Sequence, residues 1–194
     1  MELLAAQGVI GDMKLNIGEE KRITFLTCVL RYRWGASHYW GCDDAAYINE
    51  NLHLYAVFDG ISITDEGYGG GGRDAAAVAE RMPELVDLLK IRDFKPAVLT
   101  WAEEIGEMQT TAIILRKKKG LIEIASAGDS FAEVDGRVVN TQYCIGNALT
   151  RWFGSDDEAL GFEFIRKEGR RFRIYTDGAF EAGDDLAMIS SKRS

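Results

Sequence analysis

The sequence predicts a single α+β domain. Apolar, β-branched runs dominate both ends of the chain, two helical stripes fall together between them, and no strand–helix–strand alternation occurs. A length of 194 residues suits one domain whose core can fold unaided, and no repeat or low-complexity linker divides it, so residues 1–194 are read as one unit.

Each element follows from its local pattern. Residues 1–22 are mixed and weakly periodic and receive no assignment. Residues 23–30 (ITFLTCVL) read as a strand, and a loop rich in Gly and aromatics follows from Arg33 to Cys42. Residues 45–48 and 52–58 are apolar runs separated by Asn49-Glu50-Asn51, a hairpin pattern. A glycine-rich loop, Gly67 to Gly72, leads into a helical stripe over residues 74–90, with Pro83 placed to kink or break it. Pro96 suits the first turn of a second helix over residues 97–107. Strands are predicted at 110–115, 121–127, 131–134, 137–140, 172–176 and 186–189, with Asp135-Gly136 as a tight turn. Arg116 to Gly120 reads as a solvated hairpin turn.

Composition narrows the function. The 31 Asp and Glu against 23 Lys and Arg give a net charge of −8, which argues against coating nucleic acid. No apolar run approaches the ~20 residues that span a bilayer, so no membrane partner is expected. The first residues, Met1 to Gln7, lack the basic and long apolar regions of a signal peptide. Cys28, Cys42 and Cys144 form an odd, scattered set that fits a reducing compartment, so a cytoplasmic location is expected. Their spacing to His38 is not the paired spacing of a zinc site, and His53 reads as a structural residue on a strand.

Aspartates carry most of the information. Asp43 and Asp44 precede a strand, Asp59-Gly60 ends one, and Gly128-Asp129-Ser130 lies between two. Asp177-Gly178 ends another, and Asp184-Asp185 precedes the last. Carboxylates at strand ends can converge on one rim of a sheet, where they repel unless a hard cation such as Mg²⁺ or Mn²⁺ lies among them.

The ordered segments are Asp43-Asp44-Ala45, Val57-Phe58-Asp59-Gly60, Thr110-Thr111-Ala112, Ala127-Gly128-Asp129-Ser130, Leu149-Thr150-Arg151-Trp152-Phe153-Gly154, Tyr175-Thr176-Asp177-Gly178 and Asp184-Asp185-Leu186. In this order the chain resembles the metal-dependent protein serine/threonine phosphatases of type 2C, over roughly residues 24–190. The resemblance implies a four-layer α-β-β-α sandwich of two mainly antiparallel sheets, with two Mn²⁺ or Mg²⁺ ions, and a weaker third, at one end. By motif position Asp59 bridges the two metals and the Gly60 carbonyl also coordinates. Asp43 serves one metal, and Asp177 and Asp184 serve the other. Asp44 and Asp129 then orient metal-bound waters or help to hold the weaker third ion. The implied reaction is hydrolysis of a phosphoprotein monoester by a water or hydroxide bridging the ions, its pKa lowered from ~15.7 towards neutrality.

Three departures qualify the resemblance. Ile61 stands where well-known members carry a His after Asp-Gly, and Tyr39 stands at the position of the phosphate-binding Arg, leaving His38 and Arg33 as candidates to contact substrate phosphate. These losses keep open a second function, a phosphatase-like binding or regulatory module with little turnover. Only residues 178–183 separate Asp177 from Asp184, where the family inserts helices. A short reversal would keep both carboxylates at one sheet end but strip helical cover from a sheet face. Trp152, Phe153, Phe162 and Phe164 are candidates to cover that face, and a homodimer through it is the other expectation. Gly67, Gly69 and Gly72 satisfy G-x-G-x-x-G, but a dinucleotide site needs a βαβ unit, which the element order lacks. The loop reads instead as a flap beside the cleft.

Overall fold

The computed structural model describes residues 7–10, 19–33, 44–61, 71–145, 148–155, 159–180 and 185–192. In chain order the elements begin β1 (Gln7–Ile10), β2 (Glu20–Thr24), β3 (Cys28–Arg33), β4 (Asp44–Asn49) and β5 (Leu54–Gly60). The helices α1 (Gly71–Glu80), α2 (Met82–Leu88) and α3 (Phe94–Ile105) follow. After them come β6 (Thr110–Lys118), β7 (Leu121–Ala127), β8 (Phe131–Val134), β9 (Arg137–Val138), β10 (Cys144–Ile145) and β11 (Ala148–Leu149). The last are β12 (Glu163–Glu168), β13 (Phe172–Tyr175), a 3₁₀ turn (Asp177–Ala179) and β14 (Leu186–Ser191).

One sheet has the order β1-β4-β5-β6-β7-β12 and the other β2-β3-β14-β13-β8-β9, with β10 and β11 forming a small ribbon. Every described pairing is antiparallel, which excludes a dinucleotide-binding βαβ unit among the described residues. This is the α+β sandwich of two antiparallel sheets that the motifs imply.

Burial patterns assign the layers. Along β5 the residues from Leu54 to Phe58 are all buried, because both faces are covered. Leu54, Ala56 and Phe58 pack with Met82, Leu85 and Trp101 of the helices, whereas Tyr55 and Val57 pack with Leu30, Ile174 and Ile189 of the second sheet. Strand β6 divides in the same way, Ala112 and Ile114 facing the helices and Ile113 and Leu115 the second sheet. In the second sheet, by contrast, β3 alternates buried Cys28, Leu30 and Tyr32 with more accessible Val29, Arg31 and Arg33. Among the described residues all three α-helices lie on the first sheet, and the outer face of the second carries none. The reduced helical cover expected near the C-terminus is found on that face. Phe153 and Phe162 do not cover it. They belong to the helix-side core, with Phe153 edge-on to Trp101 at 5.4 Å and to Phe162 at 5.5 Å, and Phe164 packs against the same core. No helix among the described residues is long and apolar enough to cross a membrane.

Several boundaries differ from the sequence expectation. The stripe over residues 74–90 breaks at Arg81, and Pro83 falls at the start of α2, where its missing N–H removes no helical hydrogen bond. Residues 1–22 contain β1 and the start of β2, and β12 lies in a stretch given no element. His53 is in the exposed turn between β4 and β5, with φ of 49°, not on a strand.

The predicted strand over residues 23–30 is two antiparallel strands, separated by a turn at Phe25, Leu26 and Thr27. The cause is remote in sequence. The Glu50 carboxylate, 9% exposed, accepts hydrogen bonds from the Leu26 N–H, the Thr27 N–H and the Thr27 hydroxyl. Burial opposes its ionisation, but these Thr27 and Leu26 donors outweigh it and hold the pKa below the ordinary glutamate value. A depressed folded pKa contributes stability above the unfolded pKa that is lost as pH falls through the folded value. Glu50→Ala is therefore expected to destabilise by about 2–4 kcal/mol at pH 7, through the unsatisfied donors it leaves. That corresponds to a melting-temperature fall of roughly 4–16 °C for a domain of this size. In Glu50→Gln the charge-dependent part should be lost at pH 7 and converge with wild type in acid; parallel pH curves would refute the assignment.

Candidate functional site

The alternation that divides β4, β5 and β6 between two cores also fixes where their ends point. Asp44 pairs in register with Asp59, and Asp59 with Thr111. A step of two residues along each strand from Ala46, Val57 and Ile113, which face the second sheet, places Asp44, Asp59 and Thr111 on that same face. The three therefore form a row at one mouth of the inter-sheet core. Side chains directly opposite one another in such a row have Cβ atoms ~5 Å apart, so the Asp44 and Asp59 carboxylates are brought together by strand register alone.

The second sheet meets this row from across the sandwich. Thr176, fully buried at the end of β13, donates its hydroxyl to Asp44 Oδ2 at 2.7 Å and accepts from the Ala187 N–H at 3.1 Å. Tyr32 donates its hydroxyl to the Asp44 carbonyl at 2.6 Å. Asp177 opens the 3₁₀ turn immediately after Thr176, and the Phe180 N–H closes that turn on the Asp177 carbonyl. Arg33 Nη2 donates to the Gly178 carbonyl at 2.7 Å, which ties the same turn to β3. Thr176→Val, similar in size but without the hydroxyl, removes a donor from buried Asp44 and an acceptor from Ala187. We expect it to destabilise by about 2–4 kcal/mol, with Thr176→Ser close to wild type, as read by thermal melting. Equal melting of Val and Ser variants would show that the link contributes nothing.

Asp129 arrives from the turn between β7 and β8. Gly128 there has φ of +95°, and a Cβ on it would stand 2.6 Å from the Thr111 Cβ. Glycine is therefore required for this turn to lie against the strand that neighbours Asp59. The adjoining Ser130 hydroxyl is 2.6 Å from that of Thr111. Burial pushes the Asp129 carboxyl above its ordinary value, against a weaker hydrogen bond from its own backbone. Asp185, at the start of the approach to β14, is also buried. The Thr110 hydroxyl donates to the Asp59 carbonyl at 2.8 Å, fixing the end of β5 at Gly60.

Of the residues named from sequence, Asp44, Asp59, Gly60, Asp129, Asp177 and Arg33 lie at this end of the sandwich. Asp43, Asp184, His38 and most of the glycine loop lie outside the described residues. Among the described residues no three His, Cys, Asp or Glu side chains group closely enough to hold a metal ion. What the described part supplies is chemically suited to one. Its donors are carboxylate and carbonyl oxygens, the ligands of Mg²⁺ and Mn²⁺, and its carboxylates share one mouth where like charges repel in the absence of a cation. Sequence reasoning missed Thr176, Tyr32 and Thr110. Thr110 and Thr176 sit inside motif segments, but only the structure gives their partners. Arg33, a candidate for substrate phosphate by sequence, also anchors the Asp177 turn, a contact that no local pattern signals.

No protein-family model and no curated protein sequence matches the chain. Solved structures do. PppA, described as a key regulatory component of T6SS in Pseudomonas aeruginosa, superposes with a TM-score of 0.65 at 13% identity, covering 89% of this chain and 99% of that one. The serine/threonine phosphatase Stp1 from Staphylococcus aureus gives 0.62 at 14% identity over 95% and 100%. RsbX in complex with magnesium gives 0.61 at 14% identity over 91% and 100%. The chain thus has the fold of the type 2C serine/threonine phosphatases.

Proposed function

We propose that the chain is a metal-dependent phosphoprotein phosphatase acting on phosphoserine or phosphothreonine. The observation that carries this reading is the convergence of Asp44 and Asp59 from one sheet with Thr176 and Asp177 from the other at a single mouth of a type 2C fold. In this reading Asp43, Asp59, the Gly60 carbonyl, Asp177 and Asp184 hold two Mn²⁺ or Mg²⁺ ions, and the magnesium in the RsbX structure supports a hard cation. Bound there, such ions activate water near neutral pH and neutralise charge developing on a phosphoryl group. Asp44, clamped by Thr176, and Asp129, fixed by the Gly128 turn, orient water towards the phosphorus. Arg33 ties the Asp177 turn to β3 through the Gly178 carbonyl, and Arg33 and His38 are the residues proposed to meet substrate phosphate.

The test is hydrolysis of a phosphothreonine peptide with Mn²⁺ or Mg²⁺, compared with the same protein in EDTA. Turnover that appears only with metal supports the reading. No turnover with either ion overturns it and favours the binding or regulatory module, consistent with Ile61 and Tyr39 in place of the family His and Arg.

A further inference from the structure

The outer face of the second sheet is helix-free among the described residues, and its charge is opposite to that of the chain. Two cross-strand rows cross it. Arg22, Arg31, Met188, Tyr175 and Phe131 form one, and Thr24, Val29, Ser190, Arg173, Glu133 and Val138 the other. At the end of this face away from Asp177 lies an open groove of about 590 Å³, whose charged lining is Arg22, Arg171, Arg173 and Lys192 against the single carboxylate of Glu133. Arg173 is 3.6 Å from Glu133, whereas Arg22 and Lys192 make no ion pair among the described residues. Arg22 also stands directly opposite Arg31 in the ladder, and Arg31 in turn is ion-paired with Glu20 at 2.7 Å. A protein of net charge −8 thus gathers four cations and one carboxylate around a single groove.

Resting on the phosphatase reading for the identity of the partner, we propose that this groove docks an acidic segment of the phosphoprotein substrate. Charge complementarity favours that occupant. A second copy is disfavoured, because a two-fold interface through this face would set the same arginines against one another. Geometry sets the spacing. From Asp177 back along β13 to Arg171 is about 20 Å at ~3.3 Å per residue, the reach of roughly six extended residues. Half-buried Phe131 and exposed Phe180, both packed on the buried Tyr175 ring at 5.2 and 5.6 Å, offer an apolar surface between the two ends.

The experiment is fluorescence anisotropy with a labelled decapeptide of alternating Asp and Glu and with a neutral Ser-Gly peptide of equal length. The acidic peptide should bind at least about tenfold more tightly, and the difference should shrink at high salt. Arg22→Glu/Arg171→Glu/Lys192→Glu should abolish the preference. The milder Arg22→Gln/Lys192→Gln, checked for unchanged melting, should weaken it severalfold. Asp59→Asn should bind as wild type does, so this result stands whether or not the protein turns over phosphate. Equal binding of the two peptides, or retention of the preference in both groove variants, overturns the site. Tighter binding of single-stranded DNA, or a dimer in light scattering that the groove variants dissociate, overturns the proposed occupant. Finally, a phosphothreonine peptide with an acidic segment six residues away should show a lower KM than one without. Equal KM values with the binding preference intact would refute the link to substrate, whereas absence of turnover on both would refute only the phosphatase reading.

Discussion

Replacing Asp59 with Asn is expected to reduce Mn²⁺-dependent phosphatase activity by more than about a hundredfold, beyond the 10–100-fold that removing a residue which merely supports a ligand costs. Asn keeps the volume and one oxygen but removes the charge that two cations would share. The fold should survive the change, because Asn keeps the volume and the Thr110 hydroxyl bonds the Asp59 backbone carbonyl, which the substitution leaves in place. Metal-free Asp59→Asn should even melt at or above the wild-type temperature, since one carboxylate leaves a mouth that also holds Asp44, Asp129 and Asp177. The metal response should move the opposite way. Mn²⁺ at 100 times its Kd stabilises the folded state by about 2.7 kcal/mol, or roughly 5–11 °C in melting temperature. That rise should largely vanish in Asp59→Asn and diminish in Asp177→Asn. A full Mn²⁺ rise in both variants would place the metal elsewhere, whatever happened to turnover.

The parts of this architecture legible in the sequence are those whose signal is local. Strands β5 and β6 announce themselves because they are covered on both faces and carry unbroken apolar runs, Leu54–Phe58 and Ala112–Leu115. Strand β12 (EFIRKE) does not, since it is an edge strand, half-buried or exposed throughout, with four of its residues charged. The break between β2 and β3 was illegible for a different reason. Residues 23–30 have the composition of one strand, and what divides them is Glu50, over twenty positions away. The site shows the same split. Asp59 and Asp177 are visible as strand-end aspartates followed by glycine, but the hydroxyl of Thr176 reaching Asp44 spans 132 positions and joins two sheets. No pattern within either segment encodes that pairing. Strand register, not motif, sets Asp44 beside Asp59, and register is fixed by the two cores that the alternating faces bury.

Trp101→Ala should produce the largest loss of stability of any single change considered, about 3–5 kcal/mol, the usual range for truncating a buried aromatic. Trp101 is fully buried on α3, where its ring meets Phe153 edge-on at 5.4 Å and its indole N–H donates to the Arg81 carbonyl at 3.0 Å. That carbonyl lies at the break between α1 and α2, so one side chain joins all three helices to the core of the first sheet. The substitution removes the packing and also a hydrogen-bond donor that fixes the helix break. The melting temperature should fall by roughly 6–20 °C, against roughly half of that for Trp101→Phe, which keeps a ring but not the N–H. Its effect on the site should be indirect. Trp101 packs on the helix side of β5, whereas Asp59 faces the second sheet. Below its own transition, Trp101→Ala should therefore retain the Mn²⁺-induced rise in melting temperature. Loss of that rise in a well-folded Trp101→Ala protein would mean that the helix layer, and not the mouth between the sheets, organises the metal centre.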